Sequence, residues 1–154
     1  EHHFRHKGIT LKKIGEVPTV MYIAKIHPLL AKYENDSDIL HAVYHYPYIE
    51  YNDDMFLSPH PIRPYINTEN VIKINERDWR YKIIKMTNGF ASGTALPSDV
   101  KIYDWLREIT IPQGELSFFL AWRNGEEQSP MCKEFTDILT FKLKKDGRYC
   151  ESLK

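Results

Sequence analysis

Apolar and polar positions alternate at the start of ITLKKIG, residues 9–15, the pattern of a strand with one buried face. The next stretch, PTVMYIAKI at 18–26, is almost continuously apolar and rich in β-branched and aromatic side chains, which suits a strand covered on both faces. His27-Pro28 ends it, because proline removes a ladder donor and restricts the residue before it. Asp36, Ser37 and Asp38 then offer N-cap side chains for a short helix through Ile39, Leu40 and Val43. YPYIEY, 46–51, reads as another strand.

From Asn52 to Asn70 the pattern breaks, with prolines at 59, 61 and 64. Each would cost a helix interior about 3 kcal/mol, so the stretch reads as loop with room for one helical turn at 53–57. VIKINE, 71–76, alternates again and predicts a strand. After Asp78 the period becomes helical: Trp79, Ile83, Met86 and Phe90 fall on one stripe. Gly89 follows Thr87-Asn88 and fits a left-handed helix cap. Gly93 stands before TALP, a short strand, where a side chain would hold helix and strand apart. Ser98 or Asp99 is placed to cap a segment reaching Trp105 or Leu106, and ELSFFLAWR, 115–123, predicts a second buried strand. Ser129 caps a last helix with Pro130 at its first position, its apolar face formed by Cys132, Phe135, Ile138, Leu139 and Leu143.

Strands alternating with helices predict an α/β sheet with crossover units. The 154 residues suffice for one compact domain with a core. Lys plus Arg balance Asp plus Glu at 21 each, which argues against a surface that coats nucleic acid. Two cysteines, Cys132 and Cys150, are too few for a disulfide scaffold and lack metal-ligand spacing, which points to a reducing compartment. No apolar run reaches the length of a membrane span. His2, His3 and His6 crowd the first residues, and His41 and His45 stand four apart, but neither group has the set geometry of a metal site. No metal and no cofactor are expected. Phosphate-loop spacing is absent, and no serine stands between glycines as in a nucleophile elbow, so catalysis is not expected either.

The order of these pieces resembles one family. NGFASGTALPSDV, an amphipathic segment, LREITIPQGELSFFLAWRN and then SPMCKEFTDIL is similar to the end of the effector-binding domain of LysR-type transcriptional regulators. GITLKKIGEVPTVMYIAKIHPLL looks like that family's crossing strand with its His-Pro-Leu element, and YHYPYIEY resembles the strand that follows. The likeness runs from about Ile9 to Leu143. It implies a periplasmic-binding-protein-like (type II) α/β lobe with a mixed sheet, helices on its faces, and two crossing strands to a partial second lobe. The implied boundaries are 1–17 for the end of the first lobe, 18–123 for the second lobe with the crossing strands, and 124–154 for the return helix and tail.

The resemblance also implies a small-molecule effector in an interlobe cleft, and DNA bound only through an N-terminal domain that these residues lack. It further implies a cytoplasmic protein, a homo-oligomer and no membrane partner. The alternative reading is a lobe of a periplasmic-type solute-binding protein. The implied effector contacts are Tyr51, Asn52, Asp53, Asp54 and Phe56 after the third strand, with Ser92 and Thr94 beside the sheet corner. Here the sequence departs from the family, since a proline-rich stretch replaces the usual helix and two acids stand in the loop. Those acids favour a neutral or cationic ligand over a carboxylate.

Overall fold

The computed structural model describes residues 8–52, 61–95, 103–125 and 129–145, leaving aside the side chains at 77, 78, 143 and 144. The chain forms two compact units, one made of residues 18–114 and the other of the segments on either side. The first strand, β1 (Ile9–Ala24), is continuous where the pattern had suggested two. Pro18 does not break it, because the ladder with β4 (Ala91–Thr94) begins one residue later, pairing Thr19 with Thr94 and Tyr22 with Ala91 antiparallel. Proline is tolerated where no donor is required, and here its carbonyl accepts from Ala95 N at 2.9 Å.

Two short helices follow, α1 (Pro28–Lys32) and α2 (Asp36–Ala42), the second continued by a 3-10 turn, Val43–His45. The cap of α2 is Asn35 rather than the acids after it: Asp38 N donates to Asn35 Oδ1 at 2.8 Å. Asp36 instead meets Arg107 Nη2 at 2.6 Å on the surface. Strand β2 (Tyr48–Tyr51) pairs in parallel with β3 (Val71–Ile74), Tyr48 opposite Val71 and Tyr51 opposite Ile74. Helix α3 (Arg77–Thr87) leads into β4, and β5 (Leu106–Arg123) pairs with β1, giving the order β4-β1-β5. Parallel and antiparallel pairings make the architecture mixed α/β.

The core lies in the 18–114 unit. Met21, Ile23, Ile39, Val43, Phe90 and Ile109 are all fully buried there, each stabilising the fold by about 1.5–3 kcal/mol relative to exposure. The stripe read for α3 is displaced. Trp79 and Met86 are exposed, while Arg80 and Ile84 are buried. Phe90 is not helical at all and buries itself as a sheet bridge to Tyr48. Within β5 the buried positions are Ile109, Ile111 and Gly114, so ELSFFLAWR is the exposed half, with Leu116 and Phe118 open.

In the other unit, helix α4 (Pro130–Lys145) is capped as its sequence predicts, Cys132 N donating to Ser129 Oγ at 3.2 Å. Its expected apolar face is not buried: Cys132, Phe135 and Ile138 are exposed together with Met131 and Phe141. Leu139 is half-buried and Thr136 is the buried side chain. The unit's other described elements are the outer parts of β1 and β5, too little surface to cover such a face.

The corner after α3 reassigns both glycines. Asn88, at φ 49°, takes the left-handed cap position, which asparagine tolerates better than most residues. Gly89 is required for space: a Cβ there would overlap Ile49 Cδ1 and stand 2.7 Å from Pro47 O. That absence lets Phe90 N donate to Pro47 O at 2.9 Å and Ile49 N donate to Phe90 O at 2.8 Å, stitching β2 to the start of β4. Gly93 lies within β4, and its neighbour is the Tyr22 ring on β1, 2.8 Å from a hypothetical Cβ, rather than a helix. TALP therefore begins as the strand ends, and its Leu-Pro falls outside the described residues.

His27 locks the same corner from the other side. It is buried and caps α1, with Leu29 N donating to its Nδ1 at 3.1 Å. That bond fixes the tautomer: the proton sits on Nε2, which donates to Asn88 O at 2.7 Å. Burial holds the ring below the usual histidine range, the bond to Asn88 opposing only in part.

Two outcomes follow from this corner. Gly89→Ala should lower stability by about 1–3 kcal/mol in urea unfolding, through overpacking, whereas Asn88→Gly at the left-handed position should be tolerated. Folding favours neutral His27, so the unfolded chain takes up the proton first. Stability should be full above the unfolded value of 6.5 and decline as pH falls below it. In His27→Gln that part of the slope should vanish; an unchanged slope would mean another group carries it.

Candidate functional site

The 18–114 unit holds a cavity of about 180 Å³. Its lining is gathered from β2, from residues 62–68, from the start of β3, from the first turn of α3 and from β4. Tyr48 and Glu50 point to it from β2 while Ile49 between them packs on the opposite side, as the two-residue strand period requires. Tyr51, at the end of that strand, also lines it, as do Ile62, Arg63, Ile66, Thr68, Val71, Arg80 and Ser92.

Arg80 is the central group. It is only 8% exposed, although it is a charged residue on a helix. Its Nη2 donates to Ser92 O, and its guanidinium carbon stands 4.8 Å from the centre of the Tyr51 ring, a cation–π contact. Its Nε is buried without a hydrogen-bond partner, and among the described residues no carboxylate pairs with it. Ser92 links Arg80 to Tyr48, whose phenol oxygen lies 2.8 Å from Ser92 Oγ. Burial pushes the Tyr48 phenol up, while the Ser92 bond and the nearby Arg80 charge pull it partly back, so it stays protonated at neutral pH.

Next to Arg80 in sequence, Tyr81 meets the tilted ring of Tyr103 at 4.5 Å between centroids and lies edge-on to Tyr22 at 6.0 Å. Tyr22 in turn donates its hydroxyl to Thr94 O at 2.5 Å. These rings fix β1 and β4 against α3, which holds Ser92 and Arg80 in register.

Of the residues expected at an effector site, the cavity brings together Tyr51 and Ser92. Asn52 caps the strand end instead, its N donating to Ile74 O at 2.8 Å and its Nδ2 to Asn75 Oδ1 at 3.2 Å. Thr94 spends its carbonyl on Tyr22 and is not in the lining. Asp53, Asp54 and Phe56 lie outside the described residues. His41 packs against the Tyr65 ring at 5.8 Å, and no group of three His, Cys, Asp or Glu among the described residues is placed to hold a metal ion. Arg80, Arg63 and Tyr48 are absent from the sequence-based expectation. The available signal was spacing: Arg80 stands four residues before fully buried Ile84, on the same helix face.

No family model matches the chain, and no curated protein matches it. Solved structures do. The effector-binding domain of QuiR in complex with shikimate is 20% identical, with a TM-score of 0.58 over 94% of this chain and 68% of that one. The regulatory domain of MetR, a LysR family regulator from N. meningitidis, is 18% identical with a TM-score of 0.63 over 96% and 71%. The effector-binding domain of BenM with its effector benzoate is 12% identical with a TM-score of 0.65 over 92% and 66%. The fold is that of LysR-family effector-binding domains. The LysR-type fold belongs to the periplasmic-binding-protein-like type II class, and this chain spans about two thirds of those domains.

The Tyr48–Ser92 bond is testable by a double-mutant cycle. Tyr48→Phe and Ser92→Ala should each cost about 1 kcal/mol, and the double variant should cost less than their sum by about 0.5–1.5 kcal/mol. Strict additivity in urea unfolding would mean that the two hydroxyls do not interact.

Proposed function

We propose that the chain is the effector-sensing part of a LysR-type transcriptional regulator. A small molecule enters the cavity of the 18–114 unit, and its differential affinity for two states of the protein shifts the equilibrium between them. DNA is reached through a domain outside these residues, and the protein works in the cytoplasm, where its operator lies. The observation that carries this reading is a cavity lined by buried, hydrogen-bonded polar groups around Arg80, on the fold of effector-binding domains. Two of the proteins with that fold hold shikimate and benzoate.

The reading is one of binding, not catalysis. The Ser92 hydroxyl at the cavity is bonded to a phenol rather than to a general base. Tyr51 and Ser92 are the effector contacts we retain from the sequence. Homo-oligomeric assembly belongs to the same proposal, and α4 offers exposed Met131, Phe135, Ile138 and Phe141 as a surface for it.

The test uses the complete regulator, screened against small metabolites by thermal unfolding and by mobility of operator DNA. A ligand at a hundred times its Kd should stabilise the protein by about 2.7 kcal/mol, and the same compound should alter DNA binding. A compound that binds and is turned over would replace the regulator reading with an enzymatic one. Sedimentation as a monomer would remove the oligomeric part alone.

A further inference from the structure

We infer that the strap of residues 61–66 is a lever. One end of it walls the cavity, and the other bears on Gly114 beside Thr19, where β5 and β1 leave the 18–114 unit. Filling the cavity therefore shifts the backbone at residues 112–114 between two arrangements. This rests on the effector reading above and names how occupancy is reported, not what the occupant is.

The strap is built to move as one piece. Pro61 and Pro64 fix two of its backbone angles. A 3-10 turn, Arg63–Tyr65, closes it, with Tyr65 N donating to Ile62 O at 2.9 Å and Ile66 N to Arg63 O at 3.2 Å. Arg63 and Ile66 line the cavity beside Ile62, whose side chain is buried in the core. Tyr65 packs against that core and meets the His41 ring of α2 at 5.8 Å, which holds the outer side of the strap.

At the far end Pro61 meets Gly114. A Cβ built on Gly114 would lie 3.1 Å from Pro61 Cβ, from Thr19 Cβ and from Ile111 O alike. Three segments meet around that point with no room to spare, so a strap displaced at Ile66 displaces its neighbours there. The receiving backbone is poised to respond. Pro112 gives β5 no ladder donor, Gln113 stands at φ 56° inside the strand, and Gly114 follows. Thr19 is fully buried beside them, and its Oγ1 has no hydrogen-bond partner among the described residues. A left-handed residue and an orphaned hydroxyl are both costs, and they stand at one spot. A turn of the peptide between Pro112 and Gln113 returns Gln113 to extended backbone, which puts a second arrangement within reach.

The experiment is amide NMR of the full chain without ligand, with relaxation dispersion to detect millisecond exchange. Thr19, Gln113 and Gly114 should share one exchange process. Thr19→Val, which removes the orphaned hydroxyl at nearly constant shape, should shrink the minor population about fivefold, the factor that one ordinary hydrogen bond is worth. Ile66→Phe fills part of the cavity and Ile66→Ala enlarges it, so the two should move the Gln113 and Gly114 signals in opposite directions. In Pro61→Gly, which removes the contact with Gly114, neither substitution should move them. Absence of exchange at Gln113 and Gly114 in the unaltered chain overturns the inference, and needs no variant to fold. So does an Ile66 effect confined to the cavity, or one that reaches Gly114 equally well without Pro61. No ligand or DNA enters these measurements, so their failure leaves the effector reading standing. A lever that works while no small molecule alters operator binding would sink the effector reading and leave the mechanical link.

Discussion

Between Gly89 and Pro47 two backbones come so close that no side chain fits, and the geometry of the cavity depends on that approach. Phe90 can then exchange hydrogen bonds with Pro47 and Ile49, which joins the β2-β3 pair to the β4-β1-β5 sheet through a single bridge. With Phe90 fixed opposite Tyr48, Ser92 arrives two residues later within 2.8 Å of the Tyr48 hydroxyl, and its carbonyl faces Arg80. The Asn88 carbonyl is taken by His27, which ties the corner to the end of β1 and the start of α1. Move the corner by the width of a methyl group and the hydroxyl pair, the arginine's acceptor and the histidine bond all change together.

The elements that the sequence makes legible are those whose burial follows from local chemistry. PTVMYIA is a strand because β-branched and aromatic side chains fit a pleated buried surface, and the Ser129-Pro130 start of the last helix needs only its own backbone. Long-range packing decides the rest. Gly15 and Pro18 look like breaks in β1, but neither interrupts the ladder to β4, which lies more than seventy residues away in sequence. Gly89 looks like a left-handed cap, and nothing local shows that Ile49 and Pro47 will press on it, so the cap passes to Asn88.

The candidate site was legible to the extent that its residues are polar and lie at strand ends or corners. Tyr51 and Ser92 met that description. Arg80 did not, because a charged residue on an amphipathic helix is by default assigned to water, and the stripe through Trp79 and Met86 seemed to settle which face was buried. That stripe assumed a helix reaching Phe90. The helix ends at Thr87, and the buried face turns by about one residue to Arg80 and Ile84. Functional positions are where such rules are expected to fail, since a site that binds must hold polar groups where packing alone would not place them.

The two units divide stability from exposure. The hydrophobic core cluster lies wholly in residues 18–114, the same unit that contains every residue lining the cavity. The other unit buries Ile14, Val17 and Thr136 while α4 leaves four large apolar side chains open. A ligand bound in that cavity, as proposed, acts on the part of the chain with its own core, and its binding energy is realised there as stability of that unit. The open face of α4 presents Met131, Phe135, Ile138 and Phe141, none of which belongs to the Tyr48–Ser92–Arg80 chain.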